Sequence, residues 1–212
     1  MLHEATVGAG LPIIDTINKL TESGDEVLRI EGCPSGTLGY LFGELGRGTR
    51  FSATLRAAKS LGYTEPDPRE DLSGMDVARK ALILGRLLGY RGELGRASVE
   101  SLVPKWARAL SLPEFLERLR ELDAGWKRRV EAARAQGSVL RYVATVTPSR
   151  IVVGLRAVPA GSPLAAIKGS DNQLVFTTAR YQANPLVIRG PGAGAEVTAA
   201  GVLNDILRLA GA

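Results

Sequence analysis

Apolar residues recur along the chain at two spacings, and the change from one to the other divides it. From Pro12 the positions Ile13, Ile17 and Leu20 repeat with the period of one helical face, and the run stops at Gly24. Residues 27–31 read as a strand with Leu28 and Ile30 on one face. The turn GCPSGT follows, then a helix marked by Leu38, Leu41, Phe42 and Leu45. Ser52 is the expected cap of a short helix holding Leu55 and Leu61. Met75, Ala78, Leu82 and Leu87 form the buried side of another helix, which Gly89 ends. Residues 113–136 place apolar side chains at 115, 119, 122, 126, 130 and 133, a single stripe on one long helix with a charged back.

Between residues 138 and 189 the spacing becomes that of strands. VLRYVATV, RIVVGLRAV, QLVFTTA and PLVIRG alternate or are β-branched, and Pro, Gly, Ser, Asp and Asn separate them. Strands after helices predict an α+β fold, with helices packed on a mixed, largely antiparallel sheet.

The most chemically loaded stretch is residues 62–80, GYTEPDPREDLSGMDVARK. Glu65, Asp67, Glu70 and Asp71 crowd into it, and Pro66 and Pro68 hold the backbone of Glu65 and Asp67 extended. Ser73 is a plausible N-cap with Asp76 three residues on, and Asp76 and Lys80 share a helical face. One reading is a capping box, a surface ion pair and a solvated turn. The other is a pocket in which carboxylates hold an ammonium group and a lysine exchanges a proton with the ligand.

Composition narrows the field. The chain has 212 residues, 45% hydrophobic and 23% charged, which is ordinary globular content for one domain or two small ones. Its net charge of +5 comes from interspersed residues, 27 basic and 22 acidic, without an aromatic-rich RNA signature, so nucleic acid is not an expected partner. No run approaches a membrane span, and MLHEATVGAG lacks the basic start and apolar core of a secretory signal, so a cytoplasmic protein with no membrane partner is expected. Cys33 stands alone, which excludes an internal disulfide, and neither C-x-x-C nor H-E-x-x-H occurs.

Two glycine-rich turns remain. HEATVGAGLP has no strand before it, so it fails as a dinucleotide loop; a tight turn, with or without a small hard cation at its carbonyls, is the alternative. GPGAGA follows the strand PLVIRG and opens the apolar run AEVTAAGVLNDILRLA, a better context, yet no second strand or acidic ribose ligand follows. The turn GCPSGT leaves N–H donors free at a helix start, suited either to a carboxylate or nicotinamide ring or simply to turn chemistry.

These blocks, with GDEVLRIEGCPSGTLGYLF, IKGSDN and NPLVIRGPGAGAEVTAAGVLNDIL, resemble the homoserine dehydrogenases, including those fused to aspartate kinase. The resemblance implies NAD(P)-dependent interconversion of L-aspartate 4-semialdehyde and L-homoserine on the route to threonine, methionine and isoleucine. It implies Lys80 as proton donor and acceptor, and Glu65, Asp76, Asp71, Gly36 and Thr37 around the substrate. Gly62 and Gly194 would approach the cofactor, and Glu4, Val7, Ala9 and Leu11 would hold a monovalent cation, sodium. It further implies a homodimer built on the sheet. Residues 1–190 would form the substrate-binding and dimerisation domain, and residues 191–212 a terminal helix that returns to a Rossmann domain. No such domain precedes Glu4, so the chain is expected to dimerise and to bind homoserine weakly, with negligible turnover alone. A non-catalytic dimerisation scaffold derived from such an enzyme is the alternative. Without the Rossmann domain, Val197, Val202, Leu203, Ile206 and Leu207 should lack packing and the last helix should be displaced, disordered or held in an intermolecular contact.

Overall fold

The structure, a computed structural model, describes residues 2–211. A short turn of helix, α1 (Ala5–Gly8), leads into α2 (Ile13–Glu22). Gly24, at φ +78°, reverses the chain into β1 (Val27–Cys33), two residues longer than the sequence pattern suggests. Then come α3 (Gly36–Gly46), α4 (Phe51–Ser60), α5 (Pro68–Leu72) and α6 (Met75–Leu87), followed by the two-residue strand β2 (Ser98–Val99). Helices α7 (Leu112–Arg118) and α8 (Asp123–Ala135) precede β3 (Ser138–Val146), β4 (Ile151–Pro159), β5 (Asp171–Thr178) and β6 (Leu186–Pro191). The last element is α9 (Ala195–Ala210).

The strands form one sheet in the order β2-β4-β3-β1-β5-β6. β2 pairs with β4 in parallel and the other pairings are antiparallel, so the predicted α+β class and mixed sheet are borne out. β1 lies centrally, with Ile30 opposite both Val146 and Phe176. Ile30, Tyr142 and Phe176 join Leu38, Phe42, Phe51, Leu55 and Phe115 in the core beneath the helices. Each such side chain contributes roughly 1.5–3 kcal/mol by leaving water. On the other face a smaller cluster of Cys33, Val143, Val158 and Val175 is covered by Leu164 and Ile167, and Arg156 pairs there with Glu31 at 2.5 Å. Burial pushes the Cys33 thiol up to about 11.

Four expectations are corrected. Residues 113–136 do not form one helix: a 3₁₀ turn, Leu119–Leu122, separates α7 from α8. The break has a tertiary cause, because the Asp123 carboxylate is engaged by the N–H (2.8 Å) and hydroxyl (2.7 Å) of Ser52. Ser52 is therefore not the cap of α4 but its second residue, held by an acid from α8. Nor does Ser73 N-cap α6; Gly74 does, at φ +73°, and Ser73 instead ends α5.

The fourth concerns α9, which is formed and docked on its own chain rather than displaced. Gly201 packs against α1, where an added Cβ would lie 3.0 Å from the Ala9 carbonyl. Arg208 pairs with Asp15 at 2.8 Å, and the Glu4 N–H donates to Asp205 at 2.9 Å. The apolar stripe is nonetheless bare as expected at Val202, Leu203, Ile206 and Leu207, each 45–56% exposed, while Val197 is half-buried.

Candidate active site

The C-terminal end of β1 and the start of α6 meet at the acidic stretch. Ser35 N-caps α3 by accepting the Leu38 N–H at 3.2 Å, which fixes the turn after β1. Gly36 lies close under Ser170, whose carbonyl would be 3.2 Å from an added Cβ. The Pro34 carbonyl points at α6 and accepts a hydrogen bond from Lys80 Nζ at 3.1 Å, and the same ammonium pairs with Asp76 at 2.8 Å. The lysine is thus held between strand end and helix.

Gly74 sets where α6 begins. Tyr142, buried in β3, lies so close that a Cβ on Gly74 would fall 1.8 Å from its hydroxyl, and only glycine combines that approach with a positive φ. The Tyr142 hydroxyl donates to the Glu100 carbonyl at 2.6 Å, and desolvation raises its pKa.

The loop before α5 is braced at both ends. Asp67 caps α5 through the Arg69 N–H and pairs with the Arg69 guanidinium at 2.6 Å, which also donates to the carbonyls of Ala107 and Leu110. At the other end the Tyr63 ring packs edge-on against Tyr40, 5.2 Å between centroids. Thr37 and Asp71 join loop to helix: the Thr37 hydroxyl meets both the Tyr63 carbonyl and Asp71 Oδ1, the latter at 2.8 Å, and Asp71 Oδ2 accepts the Glu65 N–H at 2.9 Å. One hydroxyl proton cannot serve two acceptors. A neutral Asp71 resolves this by donating to Thr37, which then donates to Tyr63. Desolvation first, then the charge of Glu65, raises the Asp71 pKa, in the same direction.

Glu65, Glu70, Asp71, Ser73, Met75, Asp76 and Arg79 line a cavity of about 290 Å³. The structure therefore brings Glu65, Asp71 and Asp76 together on one wall. Lys80 is not part of that wall; it reaches the site through Asp76. Thr37 is buried behind the wall, and Gly62, at φ +71°, lies exposed with open space where a Cβ would be. Sequence reasoning missed Arg79 and Glu70 as lining residues. The signal for Arg79 was present, since it follows Asp76 by three positions on the same helix.

The turn that carries Glu4, Val7, Ala9 and Leu11 is compact. Glu4, 3% exposed, accepts the N–H groups of Ile14 and Asp15 at 2.7 Å each, so its carboxylate caps α2. Ala9 takes φ +55°, and the Leu11 carbonyl accepts the Ile13 N–H at 2.8 Å. One carboxylate with several carbonyls is the donor chemistry of a hard, weakly held cation, and these oxygens keep second lone pairs for one. No cluster of His, Cys, Asp or Glu able to hold a metal occurs among the described residues.

Gly194 opens α9 at φ +131°. Beside this turn the Asn172 carboxamide lies against Gly192, 1% exposed, with neither its oxygen nor its nitrogen hydrogen-bonded. An unmet buried amide at a glycine turn fits a polar group arriving from outside better than a sealed interior.

An acidic cavity thus lies beside a hydrogen-bonded lysine at the end of the central strand β1. The homoserine dehydrogenase family profile matches residues 12–207, and the chain belongs to that family. It is 52% identical over 98% of its length to the bifunctional aspartokinase/homoserine dehydrogenase 1, chloroplastic, of Zea mays, and spans 23% of that protein. It is 46% identical over 98% of its length to the homoserine dehydrogenase of Saccharomyces cerevisiae, and spans 60% of it. A hyperthermophilic archaeal homoserine dehydrogenase mutant solved in complex with NADPH superposes with a TM-score of 0.71 at 27% identity, covering 97% of this chain and 54% of that one.

Proposed function

We propose that the chain is the substrate-binding and catalytic portion of a homoserine dehydrogenase that interconverts L-aspartate 4-semialdehyde and L-homoserine. The observation that carries this is the Lys80–Asp76 pair at 2.8 Å, beside a cavity walled by Asp76, Glu65 and Asp71. Pro34 and Asp76 occupy two of the three N–H groups of Lys80, leaving one for a substrate oxygen. A nicotinamide cofactor, when bound, supplies or accepts the hydride. In the reducing direction Lys80 stabilises the developing alkoxide and protonates it; in the oxidising direction its neutral amine takes the hydroxyl proton. Glu65 and Asp76 hold the substrate ammonium, while Asp71 and Thr37 fix the loop that carries Glu65.

Gly36 lets the substrate approach the backbone, Gly62 and Gly194 do the same for the cofactor, NAD or NADP, and the unmet Asn172 amide supports a ligand there. The bare stripe of α9 supports reading residues 191–212 as the segment that completes a nucleotide-binding domain, and residues 1–190 as the substrate and dimerisation unit. The sheet face opposite the main core, covered only in part by Leu164 and Ile167 and with Val187 39% exposed beside β5, supports a homodimer. A sodium ion at Glu4, Val7, Ala9 and Leu11 belongs to the same reading, supported by their donor chemistry, as does work in threonine, methionine and isoleucine biosynthesis in the cytoplasm. No helix among the described residues is long and apolar enough to cross a membrane.

The test is Lys80→Ala in the whole protein. Loss of the proton donor is expected to lower kcat by roughly a hundredfold to ten-thousandfold, with the KM for homoserine nearly unchanged. An unchanged kcat would remove Lys80 from the chemistry. Calorimetry of the chain with homoserine separates an enzyme portion from a scaffold, which would give no heat.

A further inference from the structure

The cavity wall carries four carboxyl groups, from Glu65, Glu70, Asp71 and Asp76, and one guanidinium, from Arg79. Despite these neighbours, the Arg79 guanidinium makes no hydrogen bond or ion pair with any other described residue. Every other basic group bordering the site is engaged: Lys80 by Asp76 and Pro34, Arg69 by Asp67, Lys59 by the Pro66 carbonyl. An amino acid brings two charges on one carbon, an ammonium and a carboxylate. The acidic side chains account for the first and leave the second unmatched, and a carboxylate set among four acids without a cation would be repelled.

We propose that Arg79 receives the α-carboxylate of the substrate, and so selects an α-amino acid over the corresponding amine. This rests on the homoserine reading above. Asp76 and Arg79 lie three residues apart in the first turns of α6, so an acceptor for the ammonium and a donor for the carboxylate stand side by side on one helical face. The guanidinium fork matches a carboxylate bidentately, which a lysine in the same place would not. Lys80 is thereby left free of the carboxylate and available to the oxygen four carbons along the chain of the substrate.

The experiment is calorimetric titration of the 212-residue chain and its Arg79→Gln variant with homoserine and with propanolamine, the same molecule without its carboxylate. Asp76→Asn serves as the control that weakens both ligands together. The parent is expected to prefer homoserine by roughly tenfold to a hundredfold, the worth of one charge-assisted contact. Arg79→Gln should bind homoserine no better than propanolamine, with its affinity for propanolamine unchanged. A variant that keeps the preference, or a parent that binds both equally, overturns the assignment of Arg79 while leaving the pocket intact. A parent that binds neither overturns the substrate reading itself. Arg79 is exposed, so the fold should survive, and Arg79→Met carries the same comparison if glutamine disturbs it.

Discussion

Helices α6 and α9 both begin at a glycine with positive φ, both are amphipathic, and they are anchored in opposite ways. α6 enters at Gly74, pressed against the Tyr142 ring of β3, and buries Val77, Ala78, Ala81 and Leu84. α9 enters at Gly194 and buries Gly201 alone, tied by the Asp15–Arg208 pair and the Glu4–Asp205 bond. One helix is part of the core; the other rests on it by a narrow seam. Amphipathic spacing therefore says that a face wants covering, and the partner element decides whether it is covered.

The comparison can be broken most severely at its tight end. Gly74→Ala adds a β-carbon where φ is positive and where the Tyr142 hydroxyl already lies, and is expected to cost roughly 3 kcal/mol or more, read from the urea unfolding midpoint. Adding Tyr142→Phe should recover only part of this, because the ring carbon remains 2.8 Å from the new Cβ. At the loose end, Gly201→Val should dislodge α9 from α1 and speed amide exchange through residues 195–210 by roughly tenfold or more. Exchange in α6 should not change; coupled exchange would show that the seam is stronger than it looks.

Asp71 sharpens the comparison through pH. Its raised pKa means that the folded state holds the proton more tightly than the unfolded one. The stability it contributes is complete below about pH 4, the ordinary carboxylate range, and is lost as pH rises through the raised value. Asp71→Asn keeps both hydrogen bonds of the neutral acid, so its melting temperature relative to the parent should climb across that window. A flat difference would mean that Asp71 is ionised throughout. The smallest effect is expected from Leu203→Glu on the bare stripe, within about 0.5 kcal/mol in the chain alone.

Much of the architecture was legible because it rests on period. The strands of residues 138–189, β1 and the helices around Ile17, Leu41 and Ala78 follow their apolar spacing closely. What escaped was decided at a distance. Asp123 breaks the long helix because Ser52, far earlier in the chain, claims its carboxylate. Gly74 displaces Ser73 as the cap because of a tyrosine in β3. β2 is two residues long and too short to carry a pattern. In the site, the Asp76–Lys80 pair could be read from an interval of four, whereas the grouping of Glu65 with Asp71 came from the family resemblance. The place of Arg79 in the cavity needed the loop folded over α6, and α9 docks through Gly10 and Gly201, residues that leave no mark in any hydrophobic count.

The strand that ends just before Pro34 acquires its neighbours late. Gly32 is bonded between Ala144 and Leu174, both more than a hundred positions downstream. A ribosome thus releases the centre of the sheet long before either flank exists, and the carbonyl that orients Lys80 has no fixed direction until β5 is in place. Such long-range closure is slow. The acidic cavity should be the last part of the molecule to mature on refolding, and ligand binding should lag behind the recovery of helical signal.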